Sequence, residues 1–200
     1  MAVDVERGYA KGRAKRREII DRAVTLFGEV GYRGASLREI AGRCGISHPG
    51  LLHHFPTKEA LLLAVLEHRD EVDSVWVAGG DDDDPVSGLR RLVELVERNT
   101  GRRPIVELYA VLSAEATSAD HPAHDYFQDR YRRALAAVRS AYERAREAGA
   151  LRDGVEPGTA ARHLVALMDG LQVQWLLDDG AMDMVAVVRA HVSAQLVRPL

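Results

Sequence analysis

Apolar positions recur along this chain every three to four residues, the period of helices that bury one face. From about Lys11 to Val30, the residues Ile19, Ala23, Leu26, Phe27 and Val30 share a face, and Gly31 is placed to end the run. Ser36-Leu37-Arg38-Glu39 has capping-box spacing: Ser36 accepts from a free backbone N–H while Glu39 reaches back. Leu37, Ile40, Ala41 and Cys44 then make the inner face of a two-turn helix that Gly45 stops. Ser47 caps a third helix, with Pro49 in its first turn and Leu51, Leu52 and Phe55 as apolar contacts.

The rest of the chain repeats the helical period. A long helix runs from Lys58 to about Trp76, and Asp84-Pro85 opens the next, with Leu89, Leu92, Val93 and Val96 inside. Pro104 opens another. Asp120-His121-Pro122 opens the longest, with Asp120 capping, the histidines exposed and Gly149 at its end. Ala160 to Leu177 and about Met182 to Val197 complete the series. Ala occurs 28 times and Ile only five, and β-branched alternation is scarce. The expected class is all-α: an N-terminal three-helix domain with a helix-turn-helix over 1–57, then a larger helical domain over 58–200.

Composition narrows the class. With 46% hydrophobic residues the chain can bury a core. One cysteine, Cys44, closes no disulfide and makes no thiolate zinc cluster, and its place on the buried stripe makes it a small core residue. No signal-peptide core opens the sequence and no apolar run reaches a membrane span, so a soluble cytoplasmic protein is expected. The net charge of -3 argues against nucleic acid only until it is divided. Residues 1–57 hold ten Lys or Arg against six Asp or Glu, a net of +4, and the remainder carries -7. The 24 arginines against three lysines suit a GC-rich bacterial genome.

Two short helices joined through Gly45 make a helix-turn-helix, whose second helix can lie in a major groove. Ala23, Phe27, Gly31-Tyr32, the run Ser36 to Ala41, Cys44-Gly45-Ile46-Ser47, Leu51 and His53 to Leu61 resemble the DNA-binding domain of the tetracycline-repressor (TetR) family. The resemblance covers about residues 11–62. It implies a homodimeric transcriptional regulator, most often a repressor, that a small molecule releases from a palindromic operator. It further implies that Lys11, Arg13, Lys15, Arg16 and Arg17 form a basic arm against phosphate or a minor groove. Ser36 and Arg38 would bind phosphate, Ser47, His48, Pro49 and Gly50 would face base edges, and His53 and Lys58 would contact the backbone. The family usually has Tyr where Leu52 stands, so a phosphate contact is lost or moves to His53 or His54.

Other chemistry is weakly marked. His121 and His124 have metal-like spacing, but a helix start explains them more simply, and no metal or cofactor is expected. Glu107 and Glu115 share a helix without other marks of an acid–base pair, so no enzyme is expected. The alternative function is an all-helical small-molecule-binding protein or enzyme that has lost DNA binding. Asp81 to Asp84 read as a solvated loop. The last two helices, about 157–198, are apolar on more than one face, which suits a two-fold contact with a second copy. An effector pocket between the middle helices would be lined by Tyr109, Leu112, Tyr126, Phe127, Leu167, Leu171 and Trp175.

Overall fold

The computed structural model describes residues 2–78 and 84–200, with side chains over 12–70 and 84–200. Among these the chain forms α1 (Ala2–Gly34), α2 (Leu37–Arg43), α3 (His48–His54), α4 (Lys58–Ala78) and α5 (Ser87–Thr100). It continues through α6 (Arg103–Glu115), α7 (His124–Glu147), α8 (Pro157–Leu177) and α9 (Met184–Gln195). No strand occurs among the described residues beyond an isolated bridge between Leu151 and Leu196. The all-α expectation holds. The aspartates Asp81, Asp82 and Asp83 lie outside the described residues.

The boundaries differ where side chains redirect the backbone. α1, not the helix after Asp120, is the longest, although Gly31 interrupts it at φ 71°, ψ 177°. Val30 is 46% exposed rather than inward. The helix ends beside it, and Phe27 and Tyr32 close that part of the core, ring centroids 6.2 Å apart. α7 begins at His124 because Asp120 does not cap it: that carboxylate accepts from the Ser118 hydroxyl instead. His121, expected at the surface, is buried. α5 begins after Pro85, with the Asp84 carboxylate holding Val86 N–H at 3.0 Å. Two caps went unread: Asp183 accepts from Ala186 N–H at 2.9 Å, and Glu156 from Gly158 and Thr159 N–H at 2.9 and 2.6 Å. Those amides bring the Glu156 carboxyl down to about 2.

Two apolar clusters form, and α6 contributes to both. The first joins Ile19, Phe27, Ile40, Leu51 and Phe55 to Leu61, Leu62 and Leu66 of α4 and Leu108 and Leu112 of α6. The second packs Leu89 and Val93 of α5 with Val106 of α6, Val138 and Tyr142 of α7, Leu164 and Trp175 of α8, and Val188 of α9. Each fully buried Leu, Ile or Phe contributes about 1.5–3 kcal/mol. α1 packs against α4 and α6 and against α2, so it joins the helix-turn-helix to the larger body through a continuous apolar interior. Gly28 allows a close backbone approach: a Cβ there would stand 3.1 Å from Leu108 N of α6. No described helix is long and apolar enough to cross a membrane.

Candidate functional site

The head is rigid inside and polar outside. Ile40 and Ala41 of α2 and Leu51 of α3 are buried, and Gly45 takes φ 63° in the turn between the helices. Cys44 is buried as well, and burial pushes its thiol up. Ser36 Oγ accepts from Glu39 N–H at 3.1 Å, but only half of the capping box forms. The Glu39 carboxylate turns to Arg43 at 3.1 Å, and Arg43 also reaches Glu29 of α1 at 2.8 Å. Ser47 Oγ accepts from Gly50 N–H at 3.2 Å, so α3 starts on a fixed cap.

These caps leave a continuous outer face. Ser47, Pro49 and His53 are exposed, and His48, Gly50, Leu52 and His54 are half-buried beside them. Arg38 stands exposed at the start of α2, with Arg13 and Arg17 exposed on α1. Arg16 lies over the Phe55 ring at 4.5 Å, which ties the basic end of α1 to α3. Lys15 pairs with Glu18 at 2.5 Å. The Lys11 side chain lies outside the described ones. Lys58 is turned inward: its ammonium donates to Tyr32 O and Ala35 O at 2.9 and 3.0 Å and covers the Tyr32 ring. It closes the end of α1 instead of reaching outward.

A polar joint fastens this head to α6. Glu115, in the last turn of α6, accepts from Tyr32 N–H at 2.7 Å. The Tyr32 hydroxyl donates to Glu59 at 2.6 Å. That hydrogen bond lowers Glu59, while burial first and the same hydrogen bond second raise the Tyr32 phenol. The His121 ring packs edge-on to Tyr32 with centroids 5.1 Å apart, and its Nε2 stands 3.7 Å from Glu115. Burial holds the His121 imidazole below its ordinary pKa. His121 Nδ1 accepts from Ala123 N–H at 3.2 Å, and His124 Nδ1 lies 2.8 Å from Ala116 O, so both histidines shape the α6–α7 turn. The sequence marked Glu115 and His121 only for chemistry they do not share. Their joint role needed the tertiary contact with Tyr32.

Away from that joint, α6 faces a cavity of about 460 Å³ between α4, α5, α7 and α8. Of the residues expected there, Tyr109 and Phe127 line it. Leu112, Tyr126, Leu167, Leu171 and Trp175 fall outside its wall. Leu112 is spent in the head-side cluster, and Leu171 and Trp175 pack among α5, α7 and α9. Tyr126 supports the wall from behind, its hydroxyl 2.8 Å from that of Tyr109. The polar lining was missed. Arg130 pairs with Asp70 at 2.6 Å, and Arg69 and Arg130 lie over the Tyr109 ring at 4.0 and 4.4 Å. Tyr131 donates to Asp169 at 2.9 Å; burial pushes that phenol up to about 12 and raises the Asp169 carboxyl too. Asn99 is buried with its Oδ1 unpartnered. Asp169 was legible only as a polar interruption in an apolar helix, and Asn99 carried no signal among the polar residues that end α5.

Known proteins share this arrangement. Residues 19–65 match the N-terminal region of bacterial regulatory proteins of the tetR family, and residues 85–197 match the C-terminal region of BetI-type transcriptional repressors. The chain is 32% identical over 128 residues to the HTH-type transcriptional repressor KstR2 of Rhodococcus jostii, across 64% of this chain and 55% of that protein. It is 24% identical over 186 residues to the A-factor receptor protein of Streptomyces griseus, across 92% of this chain and 64% of that one. The chain thus spans 55% and 64% of the length of these curated relatives. A solved TetR-family regulator from Agrobacterium tumefaciens has the same fold, with a TM-score of 0.79 and 20% identity over 93% of this chain and all of that one. The two matched regions together take in the helix-turn-helix, the α6 joint and most of the cavity wall, and the chain is a member of the TetR family of bacterial transcriptional regulators.

Proposed function

We propose that this chain is a repressor that binds a two-fold operator as a homodimer and leaves it when a small molecule fills the cavity. The observation that carries the proposal is α6 itself. One helix walls the cavity through Tyr109 and Ser113 and ends in the Glu115 contact that holds the head at Tyr32. A shift of α6 on effector binding moves the mounting of the reading helix. The effector acts only as far as it binds the two arrangements of α6 unequally.

In this reading His48, with Ser47, Pro49 and Gly50, faces base edges from the first turn of α3. Arg13, Lys15, Arg16, Arg17, Ser36, Arg38, His53 and His54 supply phosphate contacts, joined by Lys11. Lys58 is the exception, because its ammonium is engaged at Tyr32 and Ala35. The second copy docks on α8 and α9, where Leu177 is 83% exposed and Val173 47%. Two copies place their α3 helices about one DNA turn apart, roughly 34 Å.

Selection of bound fragments from bacterial genomic DNA, followed by titration at several salt concentrations, tests this. Specific binding is expected with a steep fall in affinity with salt, and Arg38→Ala flattens the log–log slope by about 1. Absence of selective binding at low salt defeats the DNA-binding reading and favours a small-molecule binder that has lost its operator. A monomer in sedimentation at micromolar concentration defeats the two-fold mechanism.

A further inference from the structure

The cavity holds more charge than its apolar wall suggests, and the way that charge is partnered restricts what can enter. Two guanidiniums, Arg69 and Arg130, line it, and so does one carboxylate, Asp169. A second carboxylate, Asp70, stands behind Arg130 at 2.6 Å and takes Arg133, mostly in solvent, at 3.3 Å. Among the described residues, the two guanidiniums of the wall are matched by two carboxylates, one in it and one directly behind it. A buried ligand bringing a net charge would upset that balance where water cannot screen it. An anion would meet Asp169, and a cation would meet Arg69 and Arg130.

The hydrogen-bond inventory points the same way and adds a requirement. Asn99 is 5% exposed, and its Oδ1 has no partner. Asp169 receives one hydrogen bond, from the Tyr131 hydroxyl to Oδ2, which leaves most of its acceptor capacity open. Burial raises this carboxyl, the cost of holding its charge away from water, and a hydrogen-bond donor from a ligand offsets that cost. A buried acceptor without a donor is costly, and a ligand that supplies the donor recovers that cost on binding. Leu92, Ile105, Val165 and Met168 offer the rest of the ligand only apolar contact.

We infer that the cavity takes an uncharged, largely apolar molecule bearing hydrogen-bond donors, which it offers to Asn99 and Asp169. The inference rests on the proposed reading of the cavity as the effector site. It excludes fatty-acid-like anions and quaternary or primary ammonium ions as the preferred class, and it ranks a hydroxyl above an ether.

Four probes with one ten-carbon body test it by calorimetry on the full chain: 1,10-decanediol, 1,10-dimethoxydecane, decanedioate and 1,10-diaminodecane. The diol is expected to bind at least about tenfold more tightly than each of the others, the discrimination that one lost buried hydrogen bond of about 1.4 kcal/mol brings. Asn99→Leu narrows the gap between diol and dimethyl ether severalfold, with a cooperative thermal transition confirming its fold. Ala110 lines the cavity, and Ala110→Trp fills it and abolishes diol binding. Tighter binding of the diacid or the diamine overturns the inference and leaves the cavity a ligand site. Failure of all four to bind, or diol binding that survives Ala110→Trp, overturns the reading of the cavity along with it.

Discussion

The two ends of α6 are built on opposite principles. At its C-terminus every polar group of the joint but one has a short partner: Glu115 takes Tyr32 N–H, Tyr32 gives its hydroxyl to Glu59, and Lys58 gives two protons to carbonyls. The exception is His121 Nε2, 3.7 Å from Glu115. Around Tyr109, one turn and a half earlier, the cavity leaves Asn99 Oδ1 bare and Asp169 with a single donor. A saturated network has one arrangement and resists change, whereas an unsaturated one gains by acquiring a partner. The same helix thus carries a fixed coupling at one end and a receptive surface along its middle. In the proposed mechanism that pairing carries occupancy of the cavity to the head.

Substitutions at the joint are expected to cost most. Gly31 holds φ 71°, ψ 177°, and a Cβ there would stand 2.3 Å from Glu115 Oε1. Gly31→Ala therefore combines backbone strain with loss of a charged hydrogen bond, for about 3 kcal/mol or more. Urea unfolding checks this, and operator affinity should fall with it. Glu115→Ala leaves Tyr32 N–H unpaired, at about 1–3 kcal/mol. Lys58→Met keeps the length of the side chain and removes its two hydrogen bonds to the carbonyls of Tyr32 and Ala35, at about 1 kcal/mol. In the cavity the expected sign changes. Asn99→Leu removes an acceptor that already lacks a partner, so stability should hold or rise. A loss above about 2 kcal/mol at Asn99 would break the contrast between the two regions.

The contrast also separates what the sequence discloses from what it hides. The head was legible almost residue by residue, because its caps, turn glycine and apolar spacing are local signals within about twenty residues. Ser36, Gly45, Ser47, Ile40 and Leu51 all stand as their spacing implies. The inward turn of Lys58 was hidden because its partners, Tyr32 and Ala35, lie more than twenty residues away and across a bend. The aromatic and apolar residues chosen for the cavity were drawn from correct helices, yet spacing alone does not say which apolar face meets core and which meets space. Tyr109 and Phe127 face the cavity, while Leu171 and Trp175 pack into the second cluster. The polar residues that give the cavity its character carry no local motif, and only the packing of five helices brings Asn99, Arg130 and Asp169 to one place.

The smallest expected effect is the most discriminating, because it turns on sign. Burial holds the Asp169 carboxyl above the ordinary aspartate value of about 3.9. Between the unfolded and folded pKa values the folded chain binds more protons than the unfolded one, so stability falls as pH rises through that interval. Above the folded pKa the penalty is complete and constant. Asp169→Asn keeps an oxygen for the Tyr131 hydroxyl and never ionises, so it escapes the penalty. Its stability relative to the parent chain should be lowest in acid, grow as pH rises from the unfolded to the folded pKa, and level off above that. Urea midpoints of both chains from pH 4 to pH 7.5 measure the difference directly. A difference that shrinks on approach to neutral pH would make the charged Asp169 a stabilising group. The cavity would then be as fully partnered as the joint, and the distinction between the two ends of α6 would fail.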